Sequence, residues 1–203
     1  MTFVLGLTGS IGMGKSATAG LFRERGVPVH DADVCVHALY RGAAAAPIER
    51  VFPGVAPHGV VDRAALAAAV LDNPERLAEL EGIVHPMVSA EEERFLAHAV
   101  AQRVPIAVLD VPLLLETGGA GRCDAVVVVT APEPVQRARV LARPGMSEEK
   151  LASILAKQMP DAIKRGQAHF LVDTGRGFAS AERQVGDILR AVAGRQGRRA
   201  PRA

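Results

Sequence analysis

The sequence predicts an α/β fold built on a doubly wound, five-stranded parallel sheet, with a helical insertion and a helical lid. Apolar segments alternate with helical patterns at both ends of the chain, and several are apolar at consecutive positions. Consecutive apolar residues are typical of parallel strands that are covered on both faces. The predicted strands are 3–8, 27–30, 105–110, 125–130 and 169–173.

The interval 31–103 differs from the two ends, because it contains about seventy residues of helix and turn without a strand. A simple crossover between parallel strands is far shorter, so the interval is predicted to be an inserted, substrate-binding helical module. The length of 203 residues suits one domain, 1–195, around a core made of 1–30, 104–117 and 124–193. The predicted helices are 15–25, 33–41, 62–71, 74–82, 86–102, 133–143, 147–160 and 178–193.

The net charge of +2 owes much to the last nine residues, which contain four arginines and no acid. Such a segment has little apolar surface to bury, so 195–203 is expected to be a disordered, solvated tail. Nucleic-acid contact by the tail is the less favoured alternative, because no aromatic residue accompanies the arginines.

The composition favours a soluble, cytoplasmic protein that binds neither membranes nor nucleic acid. No apolar run reaches the 18 to 20 or so residues of a membrane helix, and the N-terminus lacks the basic region of a signal peptide. The two cysteines, Cys35 and Cys123, are too few for a disulfide framework and are expected to be reduced. A monomer or weak homo-oligomer is expected.

Residues 9–16, GSIGMGKS, match the phosphate-loop pattern G-x-x-x-x-G-K-[ST] between a predicted strand and a predicted helix. The glycines allow backbone N–H groups to turn toward phosphate oxygens, and the helix N-terminus adds a favourable dipole. Lys15 is predicted to contact the β- and γ-phosphates of a nucleoside triphosphate, and Ser16 to bind Mg²⁺. The predicted nucleotide-binding residues are Gly9, Gly12, Met13, Gly14, Lys15, Ser16, Ala17 and Arg143.

Acidic residues follow the second and third predicted strands, where an open α/β sheet binds its ligands. Asp33 is placed to accept a proton from a hydroxyl acceptor, whereas the alternative for Asp31 or Asp33 is to cap the following helix. Asp110 ends the third strand and is predicted to hold Mg²⁺ directly or through water.

The segment after Asp110 reads VPLLLETG, in which the proline directs the chain out of the sheet. Leu113 to Leu115 are predicted to offer an apolar surface to a ligand or a lid. Glu116 can bind substrate or be a solvated turn residue. His85 precedes Pro86 at a predicted helix start, where it can face a phosphate-bearing substrate or simply pack.

Arg139 and Arg143 are four residues apart in a predicted helix, which places them on one face. Guanidinium groups stabilise the negative charge that spreads over a phosphoryl group in transfer. The pair therefore predicts a lid that closes on the phosphates, and the alternative is an ordinary solvated cationic face.

Taken in order, these segments resemble the dephospho-CoA kinase family of P-loop kinases. The resemblance covers residues 1–175, and its motifs are GLTGSIGMGKS (6–16), DAD (31–33), HP (85–86), PLLLE (112–116), QRARVLARPG (136–145) and KRGQAHFLVDT (164–174). The chain departs from the family pattern at Pro144 and His169, where the family has Asp, and at Thr174, where an Asn is involved in an amide contact to the nucleotide base.

The resemblance implies transfer of the γ-phosphate of ATP, with Mg²⁺, to the ribose 3′-hydroxyl of dephospho-CoA. It implies Asp33 as the base, Lys15 and Arg139 on the phosphates, and a mobile lid at about 118–150. The predicted substrate-binding residues are Thr8, Asp31, Asp33, His85, Leu113 and Glu116.

Two other functions are compatible with the loop alone. A nucleoside monophosphate kinase or another small-metabolite kinase shares the loop and a lid, but the long insertion and the motifs HP and PLLLE argue against it. A P-loop module that binds nucleotide without turnover is disfavoured by the intact loop and Asp33.

Overall fold

The computed structural model describes residues 1–71 and 73–198, and its centre is a parallel sheet. The strand order is β2-β3-β1-β4-β5, so the first strand of the chain is the middle one, and Leu5 is paired with both Val108 and Ala125. The predicted five-stranded α/β sheet is confirmed. The strands are β1 Phe3–Thr8, β2 Val29–Asp31, β3 Ile106–Asp110, β4 Ala125–Thr130 and β5 Phe170–Asp173.

Helices follow the strands, and a 3₁₀ turn at Gly119–Arg122 precedes β4. Within the described ranges, no helix combines the length and the apolar character that crossing a bilayer requires. The helices are α1 Lys15–Glu24, α2 Ala32–Tyr40, α3 Ala45–Val51, α4 Arg63–Val70, α5 Pro74–Ala101, α6 Glu133–Leu141, α7 Glu148–Ala156, α8 Asp161–Gly166 and α9 Phe178–Val192.

The chain divides into two compact units. One unit comprises Met1–His30 and the described residues from His98 onward, and the other is Asp31–Ala97. The second unit agrees closely with the predicted insertion 31–103. It has an apolar core of its own, in which Ile48 and Phe52 are almost completely buried.

The core of the first unit explains why the predicted strands are apolar at every position. Val127 and Val129 of β4 pack with residues of α1 and α9, whereas Val126 and Val128 pack with Leu114 on the opposite face. Because side chains alternate across a strand, a sheet that is covered on both faces needs apolar residues at consecutive positions.

Three predicted segments differ from the structure. The predicted helices 74–82 and 86–102 are one helix, α5, with Pro86 inside it. Proline has no N–H, so the carbonyl of Gly82 loses its helical partner; Gly82 is exposed, and its carbonyl can bond to water instead. The predicted helix 147–160 is divided between α7 and α8. The predicted lid 118–150 is also too long, because β4 lies within it and is buried throughout.

In the loop after β3, Leu113 to Leu115 were predicted to form an exposed apolar surface, but only one of the three is exposed. Leu113 is 40% exposed, whereas Leu114 and Leu115 are buried against β4. Thr8 is also fully buried, and its hydroxyl donates a hydrogen bond of 2.9 Å to the carbonyl of Pro112. The side chain of Thr8 therefore supports this loop, and the predicted contact of Thr8 with substrate stays a prediction.

Glu116 forms an ion pair with the fully buried Lys164 of α8, with 2.7 Å between Nζ and Oε1. The same oxygen accepts a hydrogen bond of 3.0 Å from the N–H of Met159. Burial alone raises the pKa of Glu116, but the hydrogen bonds from Lys164 and Met159 outweigh burial and hold the pKa below its ordinary value. The structure therefore gives Glu116 a structural role, and its predicted contact with substrate stays a prediction.

Residues 195–198, which were expected to be disordered, contact the domain. Arg198 donates its backbone N–H to Asp124 at 2.7 Å and its guanidinium to the Asp124 carbonyl at 2.9 Å. Asp124 is nearly buried and also accepts the N–H of Val4 in β1. The expectation of a solvated tail is therefore wrong for 195–198, and 199–203 lie outside the described residues.

Replacing Glu116 with Gln should lower the free energy of unfolding by about 3 kcal/mol at pH 7, because the fully buried ammonium group of Lys164 loses its carboxylate partner. The pKa of Glu116 is depressed in the folded state, so its contribution is complete above the unfolded pKa and disappears as the pH falls through the folded pKa. The difference between the two proteins should accordingly begin to shrink below about pH 4 and vanish only when the pH lies below the folded pKa of Glu116.

Chemical denaturation at several pH values measures this difference. The control is Glu182→Gln, which removes an exposed ion pair to Arg25 and should have little effect at any pH. A Glu116→Gln protein as stable as the unmodified protein at pH 7 would show that the buried pair contributes no stability.

Deletion of 195–203 should lower the free energy of unfolding by about 2 kcal/mol, because the buried carboxylate and the backbone carbonyl of Asp124 each lose a hydrogen bond from Arg198. Thermal denaturation measures the loss, and a chain that lacks only 199–203 is the matched control. Equal melting temperatures for the two truncated chains would contradict the assignment to 195–198.

Candidate active site

The predicted phosphate loop connects the central strand β1 to α1. Gly14 is the N-cap of α1 with φ 91°, and within the described residues no side chain caps this helix and no acid occupies its first turn. The N–H groups at the start of α1 can therefore bind an anion. Gly12 has φ 77°, and a Cβ there would lie 2.5 Å from Cγ2 of Val140, so both the backbone and the space require glycine.

Met13 faces the core under the loop. Its side chain is 2% exposed, and its sulfur accepts a hydrogen bond of 3.1 Å from the N–H of Ala131. Its N–H bonds to the carbonyl of Ser10 at 3.2 Å. The structure therefore assigns the Met13 side chain to anchoring the loop, and a predicted contact with nucleotide can come only from its backbone.

Two glutamine side chains from other parts of the fold bind the backbone of the phosphate loop. Gln136 of α6 donates a hydrogen bond of 2.7 Å from Nε2 to the carbonyl of Ile11. Gln158, in the turn after α7, accepts the N–H of Ile11 at 3.1 Å. Both polar backbone groups of Ile11 are thus satisfied by side chains. Sequence reasoning missed both glutamines, because a polar residue in a helical pattern gives the same signal when it is solvated.

Lys15 and Asp110, which were predicted to bind phosphates and Mg²⁺ respectively, form an ion pair. Their Nζ and Oδ1 atoms are 2.7 Å apart, Asp110 is fully buried at the end of β3, and the side chain of Lys15 is 13% exposed. The neighbouring Ser16 and Ala17, in the first turn of α1, are exposed. The arrangement presents one cation and the free N–H groups of a helix to a phosphate, with a carboxylate directly beside them.

Arg139 of α6 lies against the loop. Its Nη1 is 2.8 Å from Oγ1 of Thr174 and 3.5 Å from the carbonyl of Gly12, and its Nη2 donates to the carbonyl of Thr174 at 2.9 Å. Arg139 and Arg143 were predicted to lie on one helix. This prediction is wrong, because α6 ends at Leu141 and Arg143 follows it. The chain turns at that point, and both arginines nevertheless line the same cavity.

This cavity has a volume of about 310 Å³ and adjoins the phosphate loop. Its walls are α1, the region of α6 and the start of α9, where Phe178 is 59% exposed. An apolar wall with a few polar groups and an accessible aromatic ring suits a nucleotide base. The cavity is lined by Gly12, Gly14, Ala17, Thr18, Leu21, Arg139, Arg143, Thr174, Gly177, Phe178 and Ala181.

The two aspartates at the end of β2 and the start of α2 have different surroundings. Asp31 is the N-cap of α2 and accepts the N–H groups of Asp33 and Val34, both at 3.1 Å. Asp33 is exposed in the first turn of α2, and His85 is exposed in the middle of α5. The capping alternative is therefore confirmed for Asp31, whereas Asp33 and His85 have surfaces that a ligand can reach.

Among the described residues, no group of three or more His, Cys, Asp or Glu side chains is arranged to hold a metal ion. A magnesium ion in a nucleotide site needs fewer side-chain ligands, because phosphates and water supply most of its oxygen ligands. The carboxylate of Asp110 and the hydroxyl of Ser16 are ligand types that fit Mg²⁺.

Comparisons with known proteins agree with this site. The dephospho-CoA kinase family model matches residues 3–179. The chain is 58% identical over 194 residues to a dephospho-CoA kinase of Mesorhizobium japonicum, covering 96% of this chain and 98% of that protein. The crystal structure of TT1252 from Thermus thermophilus superposes with a TM-score of 0.82 at 35% identity, covering 95% and 98% of the two chains.

A dephospho-CoA kinase from Campylobacter jejuni has the same fold, with a TM-score of 0.65 at 20% identity, covering 94% of this chain and 97% of that one. The phosphate loop with its lysine–aspartate pair and the match over nearly the whole chain lead to one conclusion. The chain belongs to the dephospho-CoA kinase family.

Proposed function

We propose that this chain transfers the γ-phosphate of ATP to the ribose 3′-hydroxyl of dephospho-CoA, giving coenzyme A and ADP. The observation that carries the proposal is the Lys15–Asp110 pair beside an uncapped helix N-terminus, in a chain 58% identical to a named dephospho-CoA kinase. The pair supports phosphoryl transfer, and the family supports the acceptor.

ATP binds with its phosphates on the loop and its base in the cavity lined by Thr174 and Phe178. Lys15 exchanges the carboxylate of Asp110 for the β- and γ-phosphates, which carry more negative charge. This exchange keeps the ammonium group paired in both states, so binding does not leave a buried cation without a partner.

Asp110, directly or through water, and the hydroxyl of Ser16 would hold Mg²⁺. The ion would supply positive charge that neutralises negative charge on the β- and γ-phosphates. The carboxylate of Asp110 becomes available for this role when Lys15 turns toward the phosphates.

Asp33 accepts the proton of the 3′-hydroxyl as the new O–P bond forms and the bond between the γ-phosphorus and the bridging oxygen breaks. Its exposure in the first turn of α2 supports this role, and Asp31 holds that turn in place as its N-cap. The exposed side chains of His85 and Leu113 are proposed to contact the acceptor.

Arg139 stabilises the charge that spreads over the γ-phosphoryl oxygens, and Arg143 binds the nucleotide. A guanidinium that is already held beside the loop needs little reorganisation when the reaction proceeds. We also infer a cytoplasmic location, which is supported by the free thiols of Cys35 and Cys123.

Release of ADP should depend on Mg²⁺ and rise strongly with dephospho-CoA, because the family relationship supports this acceptor. A coupled assay with dephospho-CoA, AMP, CMP and adenosine as acceptors measures the preference, and NMR of the product locates the new phosphate at the 3′ position. Equal stimulation by AMP or CMP would contradict the proposal in favour of another small-metabolite kinase.

The variant Asp33→Asn should lower kcat by roughly 10² to 10⁴, because the amide cannot accept the proton. The matched control is Asp31→Asn, which preserves a good N-cap and should lower kcat far less. Steady-state kinetics and ATP binding are measured for both variants. A large loss for Asp31→Asn alone would make Asp31 the base, and high activity of both variants would leave neither as the base.

A further inference from the structure

Thr174 joins Arg139 to the phosphate loop. It follows the last residue of β5 and is 8% exposed. Its Oγ1 accepts from Nη1 of Arg139 at 2.8 Å and donates to the carbonyl of Met13 at 2.7 Å. Its own carbonyl accepts from Nη2 at 2.9 Å, so one residue binds two nitrogens of the guanidinium.

The direction of these hydrogen bonds follows from the chemistry of the groups. A guanidinium can only donate, so the hydroxyl of Thr174 must accept from Arg139 and has a single proton left to donate. The carbonyls of Met13 and Thr130 compete for that proton at 2.7 Å and 3.4 Å, and the shorter distance favours Met13. One hydroxyl thereby links a loop carbonyl to the charged group.

The backbone of Thr174 is itself held in place. Its N–H donates to the carbonyl of Thr130 at 2.9 Å, which continues the ladder between β5 and β4. The carbonyl that binds Nη2 therefore belongs to the end of the sheet, and the sheet fixes where the guanidinium lies. A side chain with as many rotamers as arginine would otherwise occupy several positions beside the loop.

We propose that Thr174 is a positioning residue, which holds the Arg139 guanidinium at the phosphate loop before ATP arrives. The inference rests on the proposed function for ATP as the nucleotide at the loop, and it does not depend on the identity of the acceptor. It also explains how the chain tolerates threonine where the family pattern has asparagine. Both side chains contain one acceptor and at least one donor, which are the two functions that Arg139 and Met13 require.

The first variant is Thr174→Val, which keeps the shape of the side chain and removes the hydroxyl. We expect kcat/KM for ATP to fall by roughly 10- to 100-fold, because Nη1 of Arg139 loses its hydrogen bond to the hydroxyl and the guanidinium is held mainly through Nη2 and the backbone carbonyl. Thr174→Ser should restore most of the activity, since it retains the hydroxyl, and Thr174→Asn should restore part of it.

A structural control separates positioning from stability. Thr130→Val removes another buried hydroxyl, at the carboxyl end of β4. This hydroxyl donates to Asp161 at 2.8 Å and does not contact Arg139. The variant should lower the melting temperature about as much as Thr174→Val and leave kcat/KM for ATP nearly unchanged. Equal kinetic losses for the two variants at equal losses of stability would overturn the proposal.

The deciding experiment is a double-mutant cycle with Arg139→Ala, measured by calorimetric binding of a non-hydrolysable ATP analogue. Thr174→Val should weaken binding about fivefold to tenfold in the unmodified background and less than twofold in the Arg139→Ala background. Equal effects in the two backgrounds would overturn the proposal. The cycle needs no acceptor, so it decides the role of Thr174 even if dephospho-CoA fails to stimulate ADP release.

Discussion

The function of this structure depends on a phosphate loop that side chains from other elements hold in shape. A glycine-rich loop loses more conformational entropy on ordering than other sequences, so its shape requires contacts from outside. Gln136 and Gln158 bind both polar groups of Ile11, and the sulfur and carbonyl of Met13 bond to Ala131 and Thr174. The loop is consequently in place before a nucleotide binds.

Positively charged side chains also lie around the loop, and their desolvation costs little free energy because each has a partner. Lys15 is paired with Asp110, and Arg139 is bonded to Thr174, so neither cation is buried without a partner. The N-terminus of α1 adds a partial positive charge without a side chain. Charges that are already oriented stabilise a transition state better than charges that must first be moved, because no reorganisation is needed during the reaction.

Two ionic contacts outside the phosphate loop stabilise the scaffold of the site. The pair of Glu116 with the buried Lys164 connects the loop after β3 to α8, next to the turn that carries Gln158. Asp124 accepts hydrogen bonds from Val4 and Arg198, which joins the start of β1 to the C-terminal segment. Each of these acids would look like a solvated residue in the sequence, since a contact over forty or more positions leaves no local pattern.

The sequence by itself determined the sheet, the phosphate loop and the family. Consecutive apolar residues are a local consequence of burial on both faces, and the loop needs its glycines, Lys15 and Ser16 within a few positions, so both are visible without a structure. Tertiary structure decided which of the two aspartates at the end of β2 and the start of α2 caps a helix, and it turned Glu116 and Thr8 toward the protein. It also placed Gln136, Gln158 and Thr174 on the loop. The reason is that a hydrogen bond between residues distant in the chain depends on the packing of whole elements, which periodicity and spacing do not contain.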